Sequence, residues 1–367
     1  MKKQPVFLLL LSLLVIVNLA EIKAQDKTTD EVIKVNTALV SIPVIVSDRQ
    51  DRYVAGLKAE NFAIYQDGEK QKIDYFISEE TPISVAILLD TSRSTQQVLG
   101  KIKKAAKEFV KDLRPADRAM IVSFDNDIEI LSELSSDQKQ LEKAIKHAKI
   151  GERVGTVLND AVYEVVKQKL SSVKGRKAII LLTDGKDAGS YTTKSTLLNQ
   201  LEESDTLVYS IFYDTSKDRP RFQQNNFPFP NRGGGMGGGM GRNGGGMGRG
   251  GNFPGGGGQQ GRFPPNGGND RQGKSPDIIR QRGEMSNEKA IEFLQQLSTA
   301  TAGRFYQKDV TDLTTAFTSI TDELRKQYLL GYYPENVEDG KLYQIKVKVD
   351  QTGAVVRSKG TYRIKGN

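Results

Sequence analysis

Three oxygen-bearing residues at alternate positions, Asp90, Ser92 and Ser94, have the types and spacing of a cation site. They follow an apolar run over residues 83–89, which is typical of a buried strand, and they precede a stretch with helical periodicity. The carboxyl ends of strands are where open α/β sheets bind ligands. A carboxylate and two hydroxyls offer only oxygen ligands, which suit a hard cation such as Mg2+. The alternative is that Asp90 ends the strand and a serine caps the following helix.

Strand and helix patterns alternate from residue 82 to residue 328, which predicts a doubly wound, mostly parallel α/β domain. Residues 178–182 are all apolar, as expected of a strand that is buried on both faces of a parallel sheet. This run also ends near a carboxylate, Asp184. Two strands of one sheet are therefore expected to bring Asp90 and Asp184 to the same edge.

Two flanking segments, residues 30–81 and 329–367, alternate apolar and polar residues with the period of strands. The pair Asp67-Gly68 predicts a hairpin that joins strands over residues 62–65 and 73–76. An isolated hairpin is marginally stable, so the two flanks are expected to pack together. The predicted architecture is an α/β domain inserted in a small β-sandwich that the N- and C-terminal strands form.

The sequence resembles a von Willebrand factor type A (VWA) domain, Rossmann-like in fold, over about residues 82–328. The family's signature is Asp-x-Ser-x-Ser after the first strand, a threonine before a later helix and an aspartate after a central strand. In this chain the matching residues are Asp90, Ser92, Ser94, Thr156 and Asp184. The resemblance implies that they form a metal-ion-dependent adhesion site (MIDAS) for a divalent cation, Mg2+ in the first instance, with Mn2+ or Ca2+ as alternatives. Five matching positions favour this interpretation over helix capping.

The resemblance also implies how such a site acts. Ser92, Ser94 and in some members Thr156 would contact the metal directly, while the two aspartates act partly through water. An Asp or Glu of a protein partner would complete the coordination, so the implied function is metal-dependent protein binding. Arg93 stands where the family usually has a small residue, and Thr95 replaces a frequent methionine. Neither position is a metal ligand, although Arg93 could alter which partners approach.

The amino terminus has the pattern of a secretory signal peptide over residues 1–24, with a cationic start, an apolar core and a small residue at a cleavage position. Retention as an uncleaved membrane anchor is the alternative, although the apolar run is short for a span. The chain has no cysteine, which excludes disulfides and lipid attachment at a cleavage-site cysteine. The segments 60–68 and 328–334 resemble those of secreted bacterial proteins with a VWA-related domain. We predict an exported protein, periplasmic or extracellular, with no membrane span after cleavage.

Most of the net charge of +8 lies in a single segment. Residues 217–285 hold 11 Lys or Arg and 4 Asp or Glu, and the first 24 residues add a net +2, which leaves −1 elsewhere. The folded part is therefore not expected to bind nucleic acid. The Gly/Arg-rich segment is predicted to be a disordered insertion. The alternative is that it binds an anionic polymer or nucleic acid.

The position of this insertion suggests a second hypothesis. It follows a predicted strand over residues 206–212, so it leaves the sheet at the edge that carries Asp90 and Asp184. Three acidic residues of the insertion could compete for the open metal position: Asp270, Asp277 and Glu284.

Catalysis has little support in the sequence. His147 is the only histidine and is predicted to be a surface residue, so neither a zinc site nor a Cys-His nucleophile can be assembled. A serine hydrolase would need His147 as its base, and no nucleophile-elbow motif is present. We predict that the protein is not an enzyme. Four further aspartates near the site are assigned other roles: Asp125 and Asp127 as turn residues, Asp160 and Asp187 as surface charges, with support of the ligands as the alternative for the last two.

Overall fold

The computed structural model describes residues 39–78, 81–215, 286–309, 312–335 and 337–364. The predicted signal peptide and the Gly/Arg-rich insertion over residues 217–285 lie outside the described residues. So do Asp270, Asp277 and Glu284, and the predictions about them stay predictions. Within the described ranges, no helix has both the length and the apolar character needed to cross a membrane.

The central sheet has six strands, numbered in chain order like all elements below. Their spatial order is β10 (Phe305–Gln307), β9 (Leu207–Phe212), β8 (Arg176–Thr183), β5 (Ile83–Asp90), β6 (Arg118–Phe124) and β7 (Ile128–Ser135). Neighbouring strands run parallel, except that β7 returns antiparallel to β6. The predicted doubly wound, mostly parallel α/β fold is confirmed.

Helices cover both faces of this sheet. One face packs against α1 (Leu99–Lys111), α2 (Gln138–His147) and α6 (Leu313–Arg325). The other packs against α3 (Leu158–Glu164), α4 (Lys194–Glu202) and α5 (Asn287–Ala300), and a π-helical turn, Val165–Lys169, extends α3. In β5, Ile87 and Leu89 belong to the first core and Ala86 and Leu88 to the second. This two-sided burial explains why residues 85–89 of the strand are all apolar.

The flanking segments form two four-stranded antiparallel sheets. The order of the first is β13 (Val355–Ser358), β1 (Val40–Ser47), β11 (Tyr328–Tyr332) and β4 (Tyr75–Ile77). The order of the second is β14 (Thr361–Arg363), β12 (Leu342–Val349), β2 (Phe62–Gln66) and β3 (Glu69–Gln71). A shared core joins the two sheets and includes Val44, Ile64, Tyr332 and Ile345. N- and C-terminal strands thus form the sandwich from which the α/β domain emerges.

The predicted hairpin in the N-terminal flank is wrong in its second strand. The strand β2 pairs with β3, with Ile64 opposite Gln71, whereas β4 pairs with β11 in the other sheet. Asp67 and Gly68 both have positive φ, 47° and 91°, as a tight two-residue turn requires. Because the turn is so tight, the chain pairs again at Glu69, and residues 75–77 are free to cross to the first sheet.

Among the polar contacts that fasten the sandwich to the α/β domain, two involve a fully buried charged residue, Glu323 or Lys359. The buried carboxylate of Glu323 on α6 forms ion pairs with Arg304 and Arg357 at 2.7 and 2.5 Å and accepts hydrogen bonds from Tyr53 and Tyr209. The second contact is made by buried Lys359, between β13 and β14. Its Nζ lies 2.6–2.8 Å from three carbonyl oxygens at the end of α4, those of Leu201, Glu202 and Ser204.

Candidate metal centre

Asp90, Ser92 and Ser94 are joined by direct hydrogen bonds at the carboxyl end of β5. Oδ1 of Asp90 accepts from the amide and the hydroxyl of Ser92 at 3.0 and 2.6 Å. The Ser92 and Ser94 hydroxyl oxygens lie 3.0 Å apart. Asp90 and Ser92 are buried, whereas Ser94 is half-buried. The three side chains form a compact set of oxygen donors, as the spacing predicted.

The turn that carries these donors is held by two buried threonines. Thr95 Oγ1 donates to the main-chain oxygens of Asp90 and Ser92 at 3.0 and 2.8 Å. The amide of Thr91 donates to Phe124 O at the end of β6 at 2.8 Å. The Thr95 side chain therefore closes the turn, which gives a structural role to one of the two departures from the family pattern.

Asp184 directly follows the strand β8 and lies at the same edge of the sheet. The last residue of β8, Thr183, donates from Oγ1 to Asp90 Oδ2 at 2.6 Å and accepts from the amide of Gly185 at 2.8 Å. Gly185 has a φ of +74°, and a Cβ there would lie 2.8 Å from the Cβ of Ala290. Only glycine fits this turn without strain, so the turn after Asp184 is fixed by local geometry.

Main-chain hydrogen bonds connect the loop that carries Thr156 to the neighbouring loops. The amide of Gly151 donates to Thr91 O at 3.0 Å, and the amide of Val157 donates to Asp125 O at 2.7 Å. Thr156 itself is buried, and its carbonyl accepts from the amide of Ala188 at 3.0 Å. These bonds tie the Thr156 loop both to the β5 and β6 turns and to the loop that follows Asp184.

Asp184 is held by two residues that the sequence interpretation missed. Its Oδ2 accepts from the hydroxyl of Thr215 at 3.1 Å and forms an ion pair with Lys186 Nζ at 3.2 Å. Thr215 follows β9 and could have been located in the same way as Asp90 and Asp184, because the carboxyl ends of parallel strands meet at one edge of the sheet. Asn287 donates to Asp214 at 3.2 Å, which brings together the two chain ends that flank residues 216–285.

The electrostatics of the site favour a cation. Burial, reinforced by the charge of Asp184, raises the pKa of Asp90 to about 7, against the hydrogen bonds from Ser92 and Thr183. Burial also raises the pKa of Tyr213, again with contributions from the charges of both aspartates. Within the described part of the chain, the Tyr213 hydroxyl has no hydrogen-bond partner. Two carboxylates are thus buried in the same region of the protein, with little solvent.

The four other aspartates organise loops. Asp125 accepts from the amides of Asn126 and Asp127, and Asp127 forms an ion pair with Arg153, so the predicted turn roles are confirmed. Asp160 and Asp187, predicted as surface charges, instead fasten the loop after Asp184. Asp160 accepts from the amides of Tyr191 and Thr192 at 2.9 and 2.7 Å. Asp187 accepts from Ser190 Oγ and Asn159 Nδ2 at 2.6 and 3.0 Å, and burial raises its pKa.

The donor set fits a hard divalent cation. Asp90, Ser92, Ser94 and Asp184 supply oxygen atoms, and the recorded partners of the Asp90 carboxylate are hydroxyl and amide groups rather than a cationic side chain. The described residues contain no group of three or more His, Cys, Asp or Glu side chains able to hold a metal. Ser92 and Ser94 offer hydroxyl oxygens beside the two carboxylates.

The rim around this edge carries one arginine and two exposed apolar side chains. The Arg93 guanidinium donates to the carbonyl oxygen of Glu152, on the Thr156 loop. Val154, on the same loop, is 79% exposed, and Tyr191 is 97% exposed on the loop that follows Asp184. A partner that reached the metal position would therefore meet both a positive charge and apolar surface.

Comparison with known proteins identifies the segment that carries the site. Residues 85–186 match the family model of the von Willebrand factor type A domain. The matched segment contains all five predicted ligands and ends at Lys186. A search of curated proteins found no match.

Three solved structures share parts of the architecture. BatB from Bacteroides thetaiotaomicron is 16% identical, with 66% of this chain and 98% of that chain covered and a TM-score of 0.42. A von Willebrand factor type A protein from Catenulispora acidiphila is 11% identical, with 90% and 75% covered and a TM-score of 0.42. Proximal thread matrix protein 1 from the mussel byssus is 13% identical, with 67% and 48% covered and a TM-score of 0.41. This chain therefore spans about half of the mussel protein.

Proposed function

Because the chain carries a von Willebrand factor type A domain, we propose that it is an exported binding protein that holds a protein partner through a divalent cation. The observation that carries the proposal is the set of hydroxyl and carboxylate oxygens around Asp90, Ser92 and Ser94. Ser92, Ser94 and Thr156 would hold the cation directly, with Asp90 and Asp184 acting partly through water. Mg2+ is the first candidate, and Mn2+ and Ca2+ are the alternatives.

Bound there, the cation would supply a Lewis-acidic position for an acidic group of the partner. Neutral hydroxyl ligands leave more positive charge on a cation than carboxylate ligands do, and Mg2+ keeps several exchangeable water ligands. Thr95 and Thr183 would keep the donors in place before the partner arrives. The site is thus suited to capture an Asp or Glu side chain without a chemical reaction.

Binding is proposed in preference to catalysis. His147 lies on α2, is exposed and has its Nδ1 2.7 Å from the carbonyl oxygen of Lys143. The hydrogen-bond partners of the Ser92 hydroxyl are Asp90 and Ser94, and neither is a histidine that could act as its general base. The predicted signal peptide over residues 1–24 supports export.

The function can be tested by capture of partner proteins on immobilised protein in Mg2+ buffer, with Ser92→Ala as the matched variant. Partners of the metal centre should be retained by the wild type, released by EDTA and absent from the variant. Retention that ignores EDTA and fades steeply with salt would instead indicate binding of an anionic polymer by the basic insertion. Equal capture by wild type and Ser92→Ala would contradict the proposal.

A further inference from the structure

Lys186 places a positive charge of the protein itself at the candidate metal centre. Its Nζ lies 3.2 Å from Asp184 Oδ2, and its amide donates to Asp184 Oδ1 at 3.4 Å. The Lys186 side chain is 21% exposed and the Asp184 side chain only 2%. The ammonium is therefore the partly solvated member of the pair and can move outward, whereas the carboxylate cannot.

The turn between the two residues fixes this arrangement. Gly185 adopts a φ of +74° that other residues rarely adopt, and a side chain there would collide with Ala290. The conformation of Gly185 therefore fixes the main chain of Lys186, whose amide and ammonium both contact the carboxylate of Asp184.

The charges of the site explain what the ammonium does. Asp90 and Asp184 are both buried at this edge, and Thr183, the residue before Asp184, donates to Asp90, whose hydrogen-bond partners among the described residues include no cationic side chain. With both carboxylates ionised, Lys186 leaves the group with one net negative charge. A divalent cation would balance the charge of the two carboxylates by itself. The loaded site would thus no longer need the ammonium as a counter-charge.

We propose that Lys186 is the resident counter-ion of the metal centre and competes with the divalent cation for Asp184. The inference rests on the proposed function, because it assumes that a divalent cation occupies the site. When the cation binds, the ammonium leaves Asp184 and turns toward solvent at the same edge of the sheet. Lys186 therefore lowers the affinity for the metal and stabilises the metal-free protein.

The test compares wild type with Lys186→Met and Lys186→Gln in two measurements at constant ionic strength. Calorimetric titration with MgCl2 should show about fivefold tighter binding by both variants, because a like charge near the protein surface has been removed. Thermal unfolding in EDTA should show both variants melting about 2 °C below wild type, because the two carboxylates lose their counter-ion. Saturating Mg2+ should abolish this difference. Lys139→Met, on the exposed face of α2, removes the same charge elsewhere and should change neither measurement.

The outcomes separate the inference from the function on which it rests. Unchanged Mg2+ affinity in the Lys186 variants, with binding by the wild type, would overturn the inference and leave the proposed function standing. An equal loss of melting temperature with and without Mg2+ would also overturn it, since that result indicates a purely structural lysine. Absence of Mg2+ binding by the wild type would overturn both.

Discussion

The hydroxyl of Thr183 donates a 2.6 Å hydrogen bond to Oδ2 of Asp90 and so joins the carboxyl ends of the neighbouring strands β8 and β5. The same oxygen accepts from the amide of Gly185. One buried side chain therefore orients the carboxylate of one loop and fixes the turn that carries Asp184 in another. The candidate metal centre depends on this residue although Thr183 is not among the five predicted ligands.

Replacement of Thr183 by valine keeps the shape of the side chain and removes both hydrogen bonds. We expect Mg2+ affinity to fall by about tenfold, the lower end for residues that orient metal ligands. We expect the free energy of unfolding to fall by about 1–3 kcal/mol, because buried partners lose a hydrogen bond. Calorimetry and urea unfolding measure the two effects. Thr318→Val, which removes an exposed helical hydroxyl bonded to Thr314 O, is the control. Unchanged Mg2+ affinity in Thr183→Val would show that Asp90 needs no such orientation.

The loop after Asp184 should loosen when Asp160 is replaced by alanine. The Asp160 carboxylate accepts hydrogen bonds from two successive amides, those of Tyr191 and Thr192, shortly before α4 begins. Hydrogen–deuterium exchange of these amides should accelerate by at least about tenfold, since each loses a charge-assisted hydrogen bond. Exchange in β5 and β8 should stay as in wild type. Unchanged exchange at both amides would restore the surface-charge interpretation of Asp160.

Replacement of Glu323 by glutamine should weaken the junction between the sandwich and the α/β domain. The carboxylate is fully buried and pairs with Arg304 and Arg357, so the variant removes the counter-charge of Arg357 and leaves Arg304 with Asp51 alone. We expect the free energy of unfolding to fall by about 3 kcal/mol, the scale for loss of one member of a buried ion pair. Glu108→Gln removes an exposed pair with Lys111 and should cost less than about 1 kcal/mol. Similar losses in the two variants would show that Glu323 does not fasten the domains.

Lys359 should make stability depend on pH. Burial lowers its pKa to about 7, well below its ordinary value of 10.5. Between these values the unfolded chain binds a proton that the folded chain lacks, so stability rises with pH in this window. From pH 7 to pH 10, the free energy of unfolding of wild type should rise, relative to that of Lys359→Met, by up to about 1.4 kcal/mol per pH unit. Lys346→Met, at an exposed position of β12, should follow wild type throughout. Urea unfolding at several pH values measures both comparisons, and a constant difference between wild type and Lys359→Met would contradict the expectation.

The α/β fold could be predicted from the sequence because its buried strands are marked by strong local patterns of apolar residues. Residues 85–89 and 178–182 are continuously apolar, as is typical of strands buried on both faces, and the ends of these strands bring Asp90 and Asp184 to one edge. The hairpin after β2 was assigned the wrong second strand because residues 75–77 look like a strand in either sheet. Their partner, β11, lies more than 250 residues away, and no local pattern reports such pairing.

The supporting residues of the site were harder to predict than its ligands. A threonine at the end of an apolar strand, such as Thr183, is indistinguishable by type from any β-branched strand residue. Asp160 and Asp187 resemble surface charges because their partners are amides and hydroxyls of a neighbouring loop. The path of such a loop cannot be predicted from the periodicity of the sequence. The role of Lys186 could not be predicted from the sequence, since lysine is common in turns and its contact with Asp184 depends on the conformation of Gly185.

The most direct test of the central claim is calorimetric titration of MgCl2 into wild type and Asp184→Ala. Circular dichroism checks that the variant keeps its fold, and Asp350→Ala, at an exposed position after β12, controls for loss of one acidic group. We predict that wild type and Asp350→Ala bind one Mg2+ per chain with equal affinity, whereas Asp184→Ala binds at least about tenfold more weakly. Equal Mg2+ affinity in wild type and Asp184→Ala would contradict the assignment of the metal centre.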